Sequence, residues 1–584
     1  MASQANDRRD PGAAPIRGML RVCGEHLAFA IGFSALVNIA YLAPTLYMLQ
    51  VYDRAIPSGS RPTLAFLTLA LALTLVFLTY MDRVRARLLA SASAHLDRTY
   101  AARLYRQAMA APAAGQPRLN QVVRDFDTIR AALTGPAAVA LFDTPWIPIY
   151  LVVCFIVHPL IGWLAAIGAV VLLTLAVLNE QATRDLSRRA GEVSSAAFAA
   201  QEAAGASSDV VRALGMTEAF VAQFESARLE AARAQLQGAR ATARIGGAMR
   251  FLRLFLQSAA LGAGAWLAIE KQISAGAVFA CSMLASRALG PLDQIVSNWR
   301  GLSAAITAYD SLKMALAAPE QPQPPTALPD PAPRLAVIQA GVRAPGRDRM
   351  LLAGVGFEVS GGALVGVVGA SGAGKSTLLQ ALANVRPLDQ GEIRLDGARY
   401  PDWEPGRLGR LIGYLPQDFA LFPGSIKDNI SRFDRWIGVD PATVDGKAIE
   451  AARAAGVHDL ILTLPQGYDT QIGLRGRGLS AGQQQRIALA RALYGDPVVY
   501  VLDEPNSAAD AEAEAALLAV LQRLKSAGRL AVLAVHKLSM LAAVDILVVL
   551  KDGRVEKAGP RDEVLAALRA AEPPRAATLA ASPS

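Results

Sequence analysis

Leu364-Val-Gly-Val-Val-Gly369-Ala-Ser-Gly-Ala-Gly-Lys375-Ser376-Thr377, followed by LLQALAN, decides what kind of domain this chain contains. An unbroken apolar run, a turn of small residues and a helical pattern together predict a buried strand that feeds a helix N-terminus. Gly369, Ala370, Ser371, Gly372, Ala373 and Gly374 are small enough for successive backbone N–H groups to turn inward around phosphates, which a helix N-terminus also attracts. Lys375 adds a point charge near the β and γ phosphates of a nucleotide. The Ser376 hydroxyl, beside Thr377, is the expected Mg2+ ligand.

Outward from this loop, short β-like runs alternate with helical ones: LIGYLPQ, VVYVLDE, LAVLAVH and ILVVLKDG. This alternation predicts an α/β fold with a largely parallel sheet. The run Val498 to Leu502 ends in Asp503-Glu504. At a strand's carboxyl end an aspartate can hold the metal, and the next carboxylate can polarise an attacking water. His536 sits at the tip of another such strand. A lone histidine there is commonly structural, but a third strand end aimed at one site argues for function.

Upstream, AAPEQPQPPTALPDPAPR at 317–334 is too proline-dense for a helix and marks a domain boundary. Before it lies a chain of a different kind. Over all 584 residues 53% are hydrophobic and only 18% charged, so part of the protein is expected in lipid. A membrane crossing needs about 20 apolar helical residues. Leu27 to Tyr52 and Pro62 to Met81 lack charged side chains. Thr144 to Asn179 lacks them too, apart from His158, and is long enough for two spans joined at His158-Pro159. Leu254 to Ile269 and Gln272 to Ser286 are weaker, as helices facing an aqueous path would be. The six spans would carry long cytosolic helical extensions over residues 82–130 and 180–248.

Arginines collect before span one, after span two (Arg83, Arg85, Arg87, Arg98, Arg103, Arg106) and after span four (Arg184, Arg188, Arg189, Arg212 and others). The positive-inside bias puts these regions and both termini in the cytosol. The net charge of +9 is then topology signal and contact with anionic membrane lipid. No nucleic-acid-reading motif is present. The three separated cysteines imply neither disulfide framework nor metal site, and the polar first residues read as a cytosolic tail without a cleaved signal peptide. The expected domains are a tail at 1–26, a transmembrane domain at 27–316, the linker at 317–334, a nucleotide-binding domain at 335–568 and a tail at 569–584. Asp143 and Arg287, ionisable groups near the membrane, are functional candidates or interfacial residues.

Leu479-Ser-Ala-Gly-Gln483 followed by QQRIALARAL, Gln417 in YLPQD and Asp510 in PNSAAD resemble the signature, Q-loop and D-loop of ABC ATPases. TLYMLQVYDRAIPSGS at 45–60, LFDTPWIPIYLVVCFIVHPLIG at 141–162 and SRALGPLDQIVSNWRGLSAAITAYDSL at 286–312 resemble the permease/ATPase of bacterial type I secretion systems, in the protease-exporter branch that has no peptidase-like domain before span one. The resemblance implies a six-helix membrane domain of the ABC type I exporter kind followed by an α/β P-loop ABC ATPase domain. It implies two copies closing around two ATP molecules, with Ser480, Gly482 and Gln483 contacting the γ-phosphate bound on the opposite copy and Asp510, in the D-loop, a further nucleotide-binding residue. Gln417 is implied as a sensor of Mg2+, and His536 as the switch that orients the γ-phosphate beside the base Glu504.

The same resemblance implies an inner-membrane exporter of an unfolded polypeptide, working with a periplasmic adaptor (membrane fusion) protein and an outer-membrane tunnel protein. Three positions depart from the family pattern. Ala481 stands where glycine is usual, and Leu474 where a glutamate is common. No aromatic occurs in QAGVRAPGRDRM at 339–350, which leaves Arg349 or Pro345 to cover the adenine. Two alternatives stay open on the residues alone: an ABC exporter of lipids or small amphiphiles, and a membrane-anchored regulatory ATPase that transports nothing.

Overall fold

The structure, a computed structural model, describes residues 23–110, 119–206, 208–316, 328–344, 349–473, 476, 478–506 and 511–571. They form two compact units, one holding the helices through Leu316 and the other everything from Leu328.

The first unit is helical, its charge-free stretches lying within α1 (Gly24–Ala40), α2 (Ala43–Gln50), α3 (Arg61–Ala110), α6 (Trp146–Val157) and α7 (Pro159–Ala206), joined by α4 (Leu119–Thr134), α5 (Pro136–Asp143), α8 (Thr217–Ile269), α9 (Ala275–Ser297) and α10 (Trp299–Leu316). Five candidate spans are long and apolar enough to cross a membrane, or six if α5 and α6, bent by 43°, form one. That pairing differs from a third span beginning at Thr144. The 12 residues of α6 reach only about 18 Å, short of the roughly 30 Å hydrocarbon layer, so α5 must contribute. The turn between spans three and four falls where His158-Pro159 put it: His158 is extended, and Pro159 opens α7.

Spans two, four and five continue as single helices of 50, 48 and 53 residues, about 75 Å each. Much of each therefore lies beyond the bilayer, as the extensions predicted. The sixth span departs from expectation. Its α9 window is 61% buried, against 6–28% for the other four single spans. Ala277, Ala280, Cys281, Ala285 and Ala288 let it pack closely against α6, α7 and α8, while Ser282, Ser286, Arg287 and its glycines lower its hydropathy.

Two polar constellations join distant helices. Asp143 accepts from Asn38 Nδ2 at 2.8 Å and pairs with Arg85 at 3.2 Å, while Arg85 also reaches Ser34 Oγ at 3.0 Å and Asp82 at 2.7 Å. Tyr150 donates to the Asn38 carbonyl at 2.8 Å, and Arg287 lies 3.9 Å over the Tyr41 ring. At the other end of the first span, the helix widens into a π-helical turn, Val51–Ala55. There Asp53 accepts from Ser274 Oγ at 2.5 Å and from the Gly276 N–H at 2.8 Å, capping α9. A Cβ at Gly276 would stand 2.5 Å from the Leu49 carbonyl oxygen, so only glycine permits this approach.

In the second unit, β1 (Arg334–Arg343), β2 (Met350–Ser360), β4 (Gln390–Leu395) and β5 (Ala398–Arg399) make an antiparallel sheet ordered β2-β1-β4-β5. The larger sheet runs β12-β11-β3-β10-β9-β6, from β3 (Leu364–Val368), β6 (Ile412–Leu415), β9 (Val499–Leu502), β10 (Leu530–Ala534), β11 (Ile546–Lys551) and β12 (Arg554–Pro560). It is parallel except for β12. A two-residue pair, β7 (Gly424–Ser425) and β8 (Gln471–Ile472), stands apart. Val365, Val367, Val499, Val501, Leu530 and Val532 fill one core, and Leu502, Ala531 and Leu533 face another, so both faces of the sheet are covered. The N-terminal tail through residue 22, most of the linker (317–327) and the end of the chain (572–584) lie outside the described residues, as do Asp510, Leu474 and Pro345.

Candidate active site

β3, β9 and β10 are neighbours in the sheet, and their carboxyl ends deliver the predicted residues to one place. After β3 the loop Gly369–Gly374 turns into α11 (Lys375–Leu382). Gly374 makes that turn possible: its φ is +100°, and a Cβ there would lie 2.9 Å from Leu352 Cδ2 and 3.0 Å from the Leu351 carbonyl oxygen. Lys375, only 7% exposed, folds its Nζ back to donate to the carbonyls of Gly369 (2.8 Å) and Ala370 (3.1 Å), which fixes the ammonium at the loop's centre.

Ser376 is the second residue of the helix, and its Oγ donates to Asp503 Oδ1 at 3.3 Å, across 127 positions of sequence. β9 carries Asp503 there, and the Asp503 N–H is tied to Leu415 of β6 at 2.9 Å. Burial pushes the Asp503 carboxyl above the usual carboxylate range, with the Ser376 hydroxyl pulling the other way. A hydroxyl and a desolvated carboxylate side by side at a phosphate loop form the oxygen-donor set that Mg2+ takes, so the residues fit that ion.

Glu504 follows with φ +50°, a left-handed conformation that costs a non-glycine residue about 1–3 kcal/mol and marks functional sites. The next residue is anchored, since the buried Gln485 donates to the Pro505 carbonyl at 2.7 Å. The Glu504 carboxylate lies 3.1 Å from His536 Nε2, at the end of β10. Lys375, Ser376, Asp503, Glu504 and His536 are thus gathered as the strand ends predicted.

Ser480 and Gln483 lie elsewhere, at the start of α12 (Ala481–Leu493). They cap the helix reciprocally: Ser480 Oγ accepts from the Gln483 N–H at 3.3 Å, and Gln483 Oε1 accepts from the Ser480 N–H at 2.9 Å. Ala481 and Gly482 complete this exposed turn, which makes no hydrogen bond to the phosphate loop among the described residues. Gln417 is exposed two residues beyond β6, with no side-chain hydrogen bond among the described residues. Arg349 is exposed just before β2. Sequence reasoning missed Gln485, for which the polar run QQQ gave no signal of burial. It flagged Asp143 without its partners Asn38 and Arg85.

Residues 352–507 match the family model described as ABC transporter, and residues 27–292 the one described as ABC transporter transmembrane region. The chain is 40% identical over 567 residues to the "Type I secretion system ATP-binding protein PrsD" of Rhizobium meliloti (strain 1021), covering 97% of this chain and 96% of that one. It is a type I secretion ABC exporter. As such it is a multi-pass membrane protein and an ABC ATPase coupled to transport, and it carries out ATP-driven secretion of proteins. Membership implies a dimer and further system components. The exporter is also 28% identical to the "Toxin RTX-I translocation ATP-binding protein" of Actinobacillus pleuropneumoniae, across 91% of its own length and 75% of that protein's. Its fold matches the structure of a bacterial Atm1-family ABC exporter with ATP bound, with a TM-score of 0.80, 22% identity, and coverage of 95% of this chain and 99% of that one.

Proposed function

We propose that this exporter moves an unfolded polypeptide across the bacterial inner membrane, with its ATPase unit and both termini in the cytosol, as a homodimer that sandwiches two ATP molecules. The meeting of Ser376, Asp503, Glu504 and His536 at three adjacent strand ends carries the reading of the site, through the 3.3 Å and 3.1 Å contacts that pair them. The phosphates would lie against the N–H groups of Gly369 to Thr377, with Lys375 as the fixed positive charge. Ser376 and Asp503 would hold Mg2+, assisted by Gln417; when bound, the ion neutralises charge on the β and γ oxygens.

Glu504 accepts a proton from the attacking water, and His536 holds the Glu504 carboxylate and the γ-phosphate in register. Ser480, Gly482 and Gln483 of the second copy complete each pocket, together with Asp510. The reciprocal capping of Ser480 by Gln483 supports this role, because it presents the turn already ordered on an exposed surface. Binding of ATP then closes the pair, and the long extensions of α3, α7 and α8 convert closure into opening of a path. Clustered arginines after spans two and four support the orientation. A periplasmic adaptor and an outer-membrane tunnel protein would extend the path.

Deleting the gene in its host and comparing secreted proteins tests the reading. Loss of a polypeptide from the medium, restored by the wild-type gene and not by Glu504→Gln, is the expected outcome. An unchanged secreted set together with altered lipid efflux would overturn it.

A further inference from the structure

His536 projects from the turn that follows β10, its ring about half exposed and hydrogen-bonded only to Glu504 among the described residues. Such a turn does not hold an imidazole steady by itself. The two residues flanking Leu538 are, however, both held by a single carboxylate. Lys537 Nζ lies 2.8 Å from Glu514 Oε2, and Ser539 Oγ donates to Glu514 Oε1. Glu514 belongs to α13 (Ala511–Ser526), which begins just past the segment containing Asp510. Leu517, Val520 and Leu521 of α13 are buried in the core beneath the sheet, so this helix is a fixed post. The Glu514 side chain is only 19% exposed. Lys537 and then Ser539 hold its carboxyl below the usual range, so it stays ionised as an acceptor for both.

We propose that Glu514 is a positioning residue for ATP hydrolysis, a clamp that fixes the His536 turn to α13 and thereby sets the His536–Glu504 contact. The clamp also links the His536 turn to the helix that follows the Asp510 segment, so a shift of that helix would move the imidazole. This rests on the assignment of His536 and Glu504 as hydrolytic residues, and the experiment separates the two claims.

Full-length exporter in lipid nanodiscs is assayed for ATPase kcat and KM as wild type, Glu514→Ala, His536→Ala and the double variant, with thermal unfolding measured on each. Misplacing a catalytic group by about 1 Å costs on the order of a hundredfold. Glu514→Ala is therefore expected to lower kcat by about ten- to a hundredfold and to change KM for ATP by less than about threefold. In the His536→Ala background the same substitution should cost less than about twofold, because two residues acting as a unit do not add. Glu514→Gln, which keeps an acceptor for Ser539 and loses the charge, should fall between, and it carries the test if the alanine variant unfolds. Full multiplicative loss in the double variant, or wild-type kcat in Glu514→Ala, overturns the clamp while leaving His536 in its role. A wild-type rate in His536→Ala alone overturns the assignment of His536, and the clamp with it.

Discussion

Arg85 and Asp143 offer a perturbation whose size follows from their surroundings. Their side chains are 9% and 12% exposed, and removing one partner of a buried pair costs about 3–5 kcal/mol, because the other charge is left uncompensated. The two ends are not equivalent. Without Asp143, Arg85 keeps Asp82 at 2.7 Å and Ser34 at 3.0 Å, so Asp143→Ala should sit near the lower bound, at about 3 kcal/mol. Without Arg85, Asp143 keeps, among the described residues, the Asn38 amide alone, so Arg85→Ala should approach about 5 kcal/mol. Replacing both by leucine removes the uncompensated charge and should return stability to within about 2 kcal/mol of wild type. Unfolding of the detergent-solubilised exporter in a denaturant series, followed by tryptophan fluorescence, gives these values as a double-mutant cycle. Equal single-variant losses below about 1 kcal/mol would mean that the pair is solvated and the reasoning wrong.

Glu504→Gln should lower kcat by about a hundredfold or more while a fluorescent ATP analogue still binds, and substantial steady-state turnover would contradict its role as base. Gly374→Ala forces a side chain into a left-handed turn against the Leu351 carbonyl, and should weaken ATP binding by about tenfold or more in equilibrium titration. Tyr400→Phe removes a buried hydroxyl that donates to the Leu382 carbonyl at 2.8 Å. It should lower stability by about 1–2 kcal/mol in the same denaturant series without changing kcat. Chelating Mg2+ should abolish hydrolysis and spare analogue binding, and Asp503→Asn should leave the rate low even in excess Mg2+.

The phosphate loop was legible because its strand, small residues, lysine and hydroxyl follow one another in a fixed order. The convergence of Asp503 and His536 on it was legible more indirectly, as strand ends of one parallel sheet. Contacts made by packing alone were not. Asn38 and Arg85 stand 105 and 58 positions from Asp143, and only the approach of three helices brings them together. Glu514 reads as one of two acids in the first turn of a helix, and nothing local ties it to Ser539, 25 positions away. Hydropathy located the spans, the sixth included, but a single average cannot tell a helix that faces water from one whose Arg287, serines and glycines are packed among neighbours, and α9 is largely enclosed.

The Asp53 cap on α9 bears on where the membrane unit can bend. One carboxylate fastens the widened end of the first span to the opening turn of the sixth, the stacked rings of Tyr52 and Phe279 lie 4.3 Å apart beside it, and Gly276 leaves no slack between the backbones. As long as these contacts hold, the two segments move as a single block, and a parting that lets cargo leave would open along another seam, between this block and the remaining helices or between the two copies.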